Sequence, residues 1–526
     1  MADWVRCRSI PPVVGISVML VAVLFAAVGA LAPTLPVATS AGVSHSARDS
    51  VAAISVIAST TDSIGPGTSG LPLATSATAV GMSADRLDAI NRIVERGITA
   101  GGYPGAAVVV GRKGMSVLQK GYGRLSWSAD SPNVDPTNSI YDIASLSKVV
   151  GTTTAIMLLY DQGRISLDAP VSRYLPDFSG GEKDLVTIRL LLTHRSGLPP
   201  GRDIWRLTHD PIEAKRIILS TPLAFHPGQY YEYSDLGADV LGMIVESVSA
   251  QPLDEFLADY VFHPLGMYDT FYNPADSVKH RIAPTEIAPP RGYPIQGEVH
   301  DENAFAMGGV AGHAGIFSSA SDLSVFAQMM LNGGEYNGVR ILAESTVMMF
   351  TTRAAGHRAL GWDTPTGSYG SGYYLSGDAF GHTGFTGTSM WIDPDRGMFI
   401  ILLTNRVHAA RALHPLQVIA DVRSDLSDAA TLAITDMPMG EMAMPASFRA
   451  DREVGWNNPE RSSSRGAGGR ARHAKSLSSN HGKRSAKSRS GSGSAAGRSS
   501  NRSSASSGSR GKSSQSSKSK RSHRNA

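Results

Sequence analysis

The sequence of 526 residues is nearly free of cysteine. Because Cys7 is the single cysteine, no disulfide can form within the chain. Cys7 also precedes the apolar run at residues 13–32, whereas a lipoprotein cysteine would follow such a run. The rest of the chain must rely on an ordinary hydrophobic core. Zinc-type spacing is absent as well, because His300, Asp301, Glu302 and His313 do not follow it. We therefore expect no metal and no other cofactor.

Acidic residues are absent from residues 461–526. That segment holds 17 Lys and Arg, 24 Ser and no Asp or Glu, so 32 basic against 45 acidic residues leave residues 1–460 at −13. A tail of this composition cannot bury enough apolar surface to fold, and we predict disorder. The tail either has no specific partner or binds an anionic partner, which would be an envelope polymer or a lipid surface. Nucleic acid is disfavoured, because the tail lacks interleaved aromatic residues and the chain carries an export signal.

The apolar run at residues 13–32 is uncharged and follows Arg6 and Arg8. This pattern predicts a signal peptide or an uncleaved signal anchor within residues 1–41. Twenty residues are enough to span a bilayer, so the length does not decide between the two. We expect an exported protein, periplasmic or secreted. Residues 42–82, rich in Ser, Ala, Thr and Gly, are predicted to form a flexible linker.

The chain after residue 82 has the periodicity of a mixed α and β domain. Ser83 is a predicted helix N-cap, and Ser319 is predicted to cap a helix that runs to about Leu331. Alternating segments predict one hairpin over 106–120 and another over 389–404. Mostly helical and loop segments lie between them. We therefore predict one sheet built from both ends of the domain, with a helical insertion between.

Three separated motifs carry the chemistry. Ser145 precedes Lys148 by three residues, so both lie on one face of a helix start. A lysine that is desolvated or that faces another cation can take the hydroxyl proton and make Ser145 a nucleophile. Tyr233, in Tyr-Ser-Asp, is a second acid/base candidate. His382-Thr383-Gly384 precedes a strand and could supply positive charge and a strand edge for an oxyanion.

With its flanking segments, this trio resembles the serine β-lactamase/D,D-peptidase superfamily, on the branch of class C-like β-lactamases, β-lactamase-fold esterases and D-aminopeptidases. The resemblance covers roughly residues 83–422. It rests on GRISLDAPVSRYLPDF, VTIRLLLTHRSGLPPG, FHPGQYYEYSDLGADVLGMIVE, PLGMYDT, GGVAGHAGIFSSASDL and FGHTGFTGTSMWIDP. It implies an α/β (α+β) fold for residues 83–425, with an antiparallel sheet flanked by helices and a mainly helical subdomain. Residues 426–460 are left as a poorly defined linker.

The resemblance also implies the roles of the site residues. Ser145 would be acylated, Lys148 would be its proton partner and Tyr233 an acid/base; which of the last two is the principal base stays open. The backbone N–H groups of Ser145 and Phe385 would form an oxyanion hole. Asp235, His382, Thr383 and Gly384 would contact the substrate. The implied activity is acyl-enzyme hydrolysis of an ester, a β-lactam or a D-amino-acid peptide.

Two positions depart from the penicillinase pattern. His382 replaces a frequent lysine, and because histidine titrates near neutrality its positive charge becomes conditional on pH. Asp235 replaces a neutral asparagine. Together these changes favour an esterase, amidase or peptidase over an efficient β-lactamase. The alternative from another class is a non-hydrolytic protein of this fold that binds peptidoglycan or another envelope polymer, although an intact Ser145, Lys148 and Tyr233 set argues against it.

Two other features bear on the site. His194, in LLTHRSGLP, is interpreted as a hydrogen-bonded residue at a helix end or in a loop rather than a catalyst. The loops over 203–215 and 354–376 are predicted to shape the choice of substrate.

Overall fold

The computed structural model describes residues 70–367, 370–410, 416–438 and 448–449. The predicted signal or anchor segment, the linker up to residue 69 and the basic tail lie outside the described residues. Within these ranges, none of the helices combines the length and the apolarity needed to cross a membrane.

The described residues contain ten strands and eleven α-helices. The strands are β1 Gly105–Arg112, β2 Met115–Gly123, β3 Ile140–Asp142, β4 Phe271–Tyr272, β5 Ile316–Ser319, β6 Glu335–Tyr336, β7 Val339–Arg340, β8 Phe380–Thr383, β9 Ser389–Asp393 and β10 Met398–Thr404. The α-helices are α1 Ala84–Leu87, α2 Ala89–Thr99, α3 Thr154–Asp161, α4 Ile188–Leu192, α5 Pro211–Ser220, α6 Asp235–Ser249, α7 Leu253–Leu257, α8 Glu302–Ala306, α9 Ala320–Leu331, α10 Glu344–Thr351 and α11 Leu416–Leu432. Short 3₁₀ or π turns span Ala77–Val80, Ala144–Leu146, Lys148–Thr153, Val171–Arg173, Gly181–Leu185, Ile204–Arg206, Ala258–Phe262, Asp276–Arg281 and Pro394–Arg396.

The main sheet has five antiparallel strands in the order β2-β1-β10-β9-β8. Strands from the two ends of the domain are therefore direct neighbours, as predicted, and both predicted hairpins are present. The β1–β2 turn places Lys113 and Gly114 at positive φ, which suits a tight hairpin. A three-stranded sheet, β3-β5-β4, lies in the helical part and carries the chain into the site.

The central strands are buried on both faces, and their alternation divides the core in two. Val109 and Ile401 face a cluster with α3, α9 and the helical subdomain. Val108 and Leu402 face a second cluster with α2 and α11. Within the helical subdomain, α6 packs against α3, α4, α5 and α7. The prediction of an antiparallel sheet flanked by helices, with a mainly helical subdomain, is confirmed.

The predicted domain limits, residues 83 and 425, are too narrow. Val80 and Met82 are fully buried, so the end of the predicted linker packs into the core. Helix α11 continues past residue 425 to Leu432, and Ala429 and Ala430 are buried against the sheet. Small residues such as these give a weak apolar pattern, although they let a helix approach the sheet closely. Ser83 and Ser319 cap α1 and α9 as predicted, each accepting a hydrogen bond from the N–H three residues on.

Candidate active site

Ser145 lies on a sharp turn from a strand into a helix. Strand β3 ends at Asp142, and the chain enters a 3₁₀ turn through Ala144, whose φ is +48°. A residue with a β-carbon is strained there. Asp142 stabilises the turn, because its Oδ1 accepts the N–H of Ala144 at 2.8 Å. The turn leaves Ser145 at the surface of a cavity of about 230 Å³.

Lys148 is the immediate neighbour of Ser145. Its Nζ donates to Ser145 Oγ at 3.0 Å and to the His313 carbonyl at 3.0 Å, and it lies 2.7 Å from Asp235 Oδ1. An ammonium group has three protons, and these acceptors surround it at hydrogen-bonding distance. The lysine side chain is only 4% exposed, so little water competes for them.

The surroundings of Lys148 keep it charged. Burial opposes the charge, but the Asp235 carboxylate and the Tyr233 phenol, which is hydrogen-bonded to the lysine, outweigh burial and raise the pKa of Lys148. Lys148 is buried, and its raised pKa weighs against the expected role of this lysine as the base for Ser145. The physical reason is Asp235, the residue that departs from the penicillinase pattern.

Tyr233 and Asp235 are presented by the start of α6. Between them, Ser234 is the N-cap: its Oγ accepts the Gly237 N–H at 3.2 Å and donates to the Pro199 carbonyl at 2.6 Å. These bonds fix the backbone between Tyr233 and Asp235 at the start of α6. The Tyr233 ring centre lies 5.1 Å from Lys148 Nζ, and both Tyr233 and Asp235 line the cavity beside Ser145.

The turn after β8 is tied to the segment before Ser145. Thr386 Oγ1 donates to the Asp142 carbonyl at 2.8 Å, and Thr388 Oγ1 donates to the Ile143 carbonyl at 3.0 Å. A β-carbon on Gly384 would lie 2.5 Å from the Ile143 carbonyl oxygen, so only glycine fits there. This packing brings Phe385, which is 45% exposed, to the same cavity as Ser145.

The turn is also supported from beneath. The Arg423 guanidinium donates to the carbonyls of Gly384 at 2.6 Å, Gly387 at 3.1 Å and Thr388 at 2.9 Å. Thr383, the last residue of β8, is half-buried at the edge of the sheet. Phe385 therefore lines the cavity together with Ser145, Tyr233 and Asp235, and Thr383 and Gly384 lead from β8 into the turn that carries Phe385.

His382 does not reach the cavity as a cation. Its side chain is buried, Nδ1 donates to the Thr383 carbonyl at 2.8 Å, and Nε2 has no hydrogen-bond partner in the described part of the chain. Burial, together with the nearby charges of Arg358 and Lys148, outweighs the opposing effect of Asp363 and lowers the pKa of His382 to about 4. A pKa of about 4 makes the neutral imidazole the main form at pH 7, which weighs against the predicted pH-dependent positive charge.

Arg358 supplies a cation that the motifs did not reveal. Its Nη2 donates to the Tyr231 hydroxyl at 3.0 Å, its Nη1 lies 2.9 Å from Asp363 Oδ1, and its guanidinium carbon lies 5.3 Å from the Tyr233 ring centre. It comes from the loop over 354–376, which also lines a separate cavity of about 390 Å³. The pairing of Asp363 with Gly381 brings the loop to the edge of β8. A lone arginine in a loop carries no sequence signal of this kind.

His313 anchors the far side of Lys148. Its Nδ1 lies 2.7 Å from Asp239 Oδ1 and its Nε2 lies 2.9 Å from Asp301 Oδ1. Burial opposes its charge, yet these two carboxylates raise the pKa of His313 well above its ordinary value. The fixed imidazolium holds the carbonyl that accepts from Lys148. In the described ranges, no group of three or more His, Cys, Asp or Glu residues could hold a metal ion.

The cavity beside Ser145 has four acidic side chains in its lining. Its lining includes Asp142, Asp235, Asp301 and Glu302, together with His300 and His313. Asp301 caps α8, and His300 lies against the Phe385 ring with centres 5.9 Å apart. The sequence pattern at residues 300–302 argues against a zinc-type metal site and carries no prediction of their place beside Ser145.

Comparison with known proteins adds a family and a fold. A family model described as Beta-lactamase matches residues 90–423. A protein of Escherichia coli (strain K12), named "Putative D-alanyl-D-alanine carboxypeptidase", is 33% identical over 368 residues, covering 62% of this chain and 84% of that protein.

Two solved structures are similar in fold. The first is a penicillin-binding protein homologue from Caulobacter crescentus, with a TM-score of 0.52, 22% identity, and coverage of 66% of this chain and 98% of that one. The second, titled EstCE1, a hydrolase with promiscuous acyltransferase activity, has a TM-score of 0.53, 22% identity, and coverage of 66% and 99%.

Proposed function

The chain belongs to the beta-lactamase family, and from that premise we propose that it forms an acyl-enzyme on Ser145 and hydrolyses an ester or an amide. The family predicted from the sequence motifs is confirmed, and the chain is a β-lactamase-related serine hydrolase. The roles of individual residues are our proposal. The observation that carries it is the 3.0 Å contact between Ser145 Oγ and Lys148 Nζ, with Tyr233 beside both.

In the proposed acylation, Ser145 Oγ attacks the carbonyl carbon of the substrate. Because Lys148 is held as an ammonium, it donates to Oγ and stabilises the developing alkoxide rather than taking its proton. Tyr233, beside that cation, acts as the acid/base that takes the serine proton and gives it to the leaving group. Water attacks the acyl-enzyme in the second half, with Tyr233 again taking and returning a proton.

The oxyanion would be stabilised by the backbone N–H groups of Ser145 and Phe385. Ser145 is in the first turn of a helical segment, where N–H groups lack partners within the helix. The turn after β8 presents Phe385 on the opposite wall. Thr383 and Gly384 would line the substrate along the strand edge, and Asp235 would act by fixing Lys148. We do not propose that His382 contributes a positive charge to substrate binding.

The proposed acyl donors are an ester, a β-lactam or a D-amino-acid peptide. The name of the Escherichia coli relative supports testing D-alanyl-D-alanine peptides first. Short neutral esters are the second class of acyl donor to test. Both classes require the same acyl-enzyme chemistry.

The test is turnover together with covalent labelling. We expect wild-type protein to hydrolyse a p-nitrophenyl ester and to be labelled by a serine-directed phosphonate, and Ser145→Ala to lose both. Ser147→Ala is the matched control, because Ser147 Oγ only accepts the Ile316 N–H at 3.1 Å. Labelling that persists in Ser145→Ala would refute the assignment. Absence of turnover combined with tight co-sedimentation with cell walls would instead favour the envelope-binding alternative.

Export is also part of the proposal and rests on the sequence of residues 1–41 alone. Fusing those residues to alkaline phosphatase lacking its own signal should give phosphatase activity in a bacterial reporter strain. The control replaces Leu20 and Leu24 with arginine, which interrupts the apolar run and should abolish activity. A fusion as inactive as this control would refute export. Binding of the basic tail to an anionic polymer or lipid surface remains a hypothesis from composition.

A further inference from the structure

His194 occupies a position where a helix usually ends in glycine. Helix α4 ends at Leu192, and the N–H groups of His194 and Arg195 donate to the carbonyls of Leu191 at 3.0 Å and Leu190 at 2.8 Å. This is the bond pattern of a left-handed helix cap, and His194 has a φ of +53°. A side chain in that conformation costs roughly 1–2 kcal/mol relative to glycine. Such strain suggests that the imidazole has a function of its own.

His194 holds the segment around Tyr233 through three contacts. Its carbonyl accepts the N–H of Glu232 at 2.9 Å, and its Nδ1 accepts the N–H of Ser234 at 3.1 Å. Its ring lies against the phenol ring, with centres 4.6 Å apart and planes inclined by 35°. One residue therefore fixes the backbone N–H groups of Glu232 and Ser234, the residues before and after Tyr233, as well as the Tyr233 ring.

These contacts require a neutral imidazole. A backbone N–H can only donate, so Nδ1 must be unprotonated and the proton must be on Nε2. Burial lowers the pKa of His194 well below its ordinary value, and the charges of Arg358 and Lys148 lower it further. With only 5% of its surface exposed, His194 keeps this form without competition from water.

We propose that His194 is a positioning residue that holds the Tyr233 phenol in the orientation needed for proton transfer with Ser145. The inference rests on the proposed function, because it assumes that Tyr233 handles the serine proton. It deepens that function by assigning a role to a residue that the sequence treats as a helix end. His194 acts through Tyr233 alone and takes no proton itself.

The test is a double-mutant cycle on ester hydrolysis. His194→Gly removes the imidazole and the backbone strain together. We expect kcat to fall roughly 10–100-fold with KM little changed, as for a misplaced catalytic group. In a Tyr233→Phe background the same change should have no further effect beyond about twofold, because the group it positions is gone. The control is Asn337→Gly, an exposed turn residue with a φ of +49°, which should leave kcat unchanged.

His194→Asn is the conservative variant. Asparagine tolerates positive φ and its Oδ1 can accept the Ser234 N–H, so we expect it to recover most of the kcat that the glycine variant loses. If the glycine variant lacks a native circular dichroism spectrum, the cycle is run with the asparagine variant, whose smaller loss should likewise vanish in Tyr233→Phe.

Two results would contradict the inference in distinguishable ways. Losses that multiply in the double variant, while Tyr233→Phe alone is strongly impaired, would show that His194 acts independently of Tyr233 and would overturn the positioning role only. Wild-type turnover in Tyr233→Phe would overturn the proposed proton transfer as well.

Discussion

The neutral, buried state of His382 leads to a prediction about stability. Its pKa is about 4 in the folded chain and about 6.5 when unfolded, so the unfolded state binds a proton that the folded state does not. A lowered folded pKa means that the contribution is complete above pH 6.5 and is lost as the pH falls towards 4. This difference between the folded and unfolded pKa lowers the free energy of unfolding by about 2 kcal/mol at pH 5 and by about 3 kcal/mol at pH 4.

The perturbation is His382→Asn, which keeps a donor for the Thr383 carbonyl and cannot titrate. Urea unfolding followed by tryptophan fluorescence at pH 8, 6.5, 5 and 4 gives the free energy of unfolding of both proteins. The absolute difference includes the cavity left by the smaller side chain, so the informative quantity is how that difference changes with pH. Other titrating groups, including His194 and His313, are common to both proteins and cancel.

We expect the wild type to lose about 2 kcal/mol more than His382→Asn between pH 8 and 5. Parallel losses in the two proteins would refute the assignment of a neutral His382. The same reasoning predicts that kcat/KM for a carboxylate-bearing ester has no inflection between pH 6 and 8 that His382→Asn removes. Such an inflection would restore the cationic role expected from the sequence motif.

Three further predictions concern the surrounding groups. Asp235→Asn removes the carboxylate 2.7 Å from Lys148 Nζ and so lowers the pKa of Lys148. The alkaline limb of the pH profile of kcat/KM should therefore move to lower pH. An unchanged limb would contradict the role of Asp235. Gly384→Ala places a β-carbon 2.5 Å from the Ile143 carbonyl oxygen and so displaces the turn that carries Phe385. Ester turnover should therefore fall at least about tenfold. The control Gly377→Ala adds a β-carbon in open space and should leave turnover unchanged. Asp239→Asn leaves the buried His313 with one carboxylate fewer and should lower the free energy of unfolding at pH 7 by roughly 3–5 kcal/mol in urea; a loss under 1 kcal/mol would contradict the buried ion pair.

The fold was predictable where the chain repeats simple patterns. The hairpins at both ends of the domain and the N-caps Ser83 and Ser319 follow from alternation and local hydrogen bonding, and they are present as predicted. The domain limits were not predictable, because Val80 and Met82 form too short an apolar segment to mark a boundary and the end of α11 packs largely through alanines. Their burial depends on the sheet they meet, which local sequence does not encode.

The site was predictable as a set of residues but not as an electrostatic environment. Ser145, Lys148, Tyr233 and Asp235 meet around one cavity, as the motif order suggested. The charge of Lys148 depends on Asp235, which is 87 positions away along the chain, and the neutrality of His382 depends on burial beneath the loop that carries Arg358. Protonation is set by partners brought together through folding, so residue types alone did not indicate the pKa shift of either group.

The pairing of β1 with β10 has a consequence for biosynthesis. Val109 is the register partner of Ile401, so the middle of the sheet joins residues separated by nearly the whole domain. A nascent chain that has not yet reached residue 398 exposes an apolar β1 edge with no second neighbour, and an edge of this kind invites pairing with other chains. Premature termination anywhere in the helical insertion should therefore yield aggregating fragments rather than a smaller folded protein.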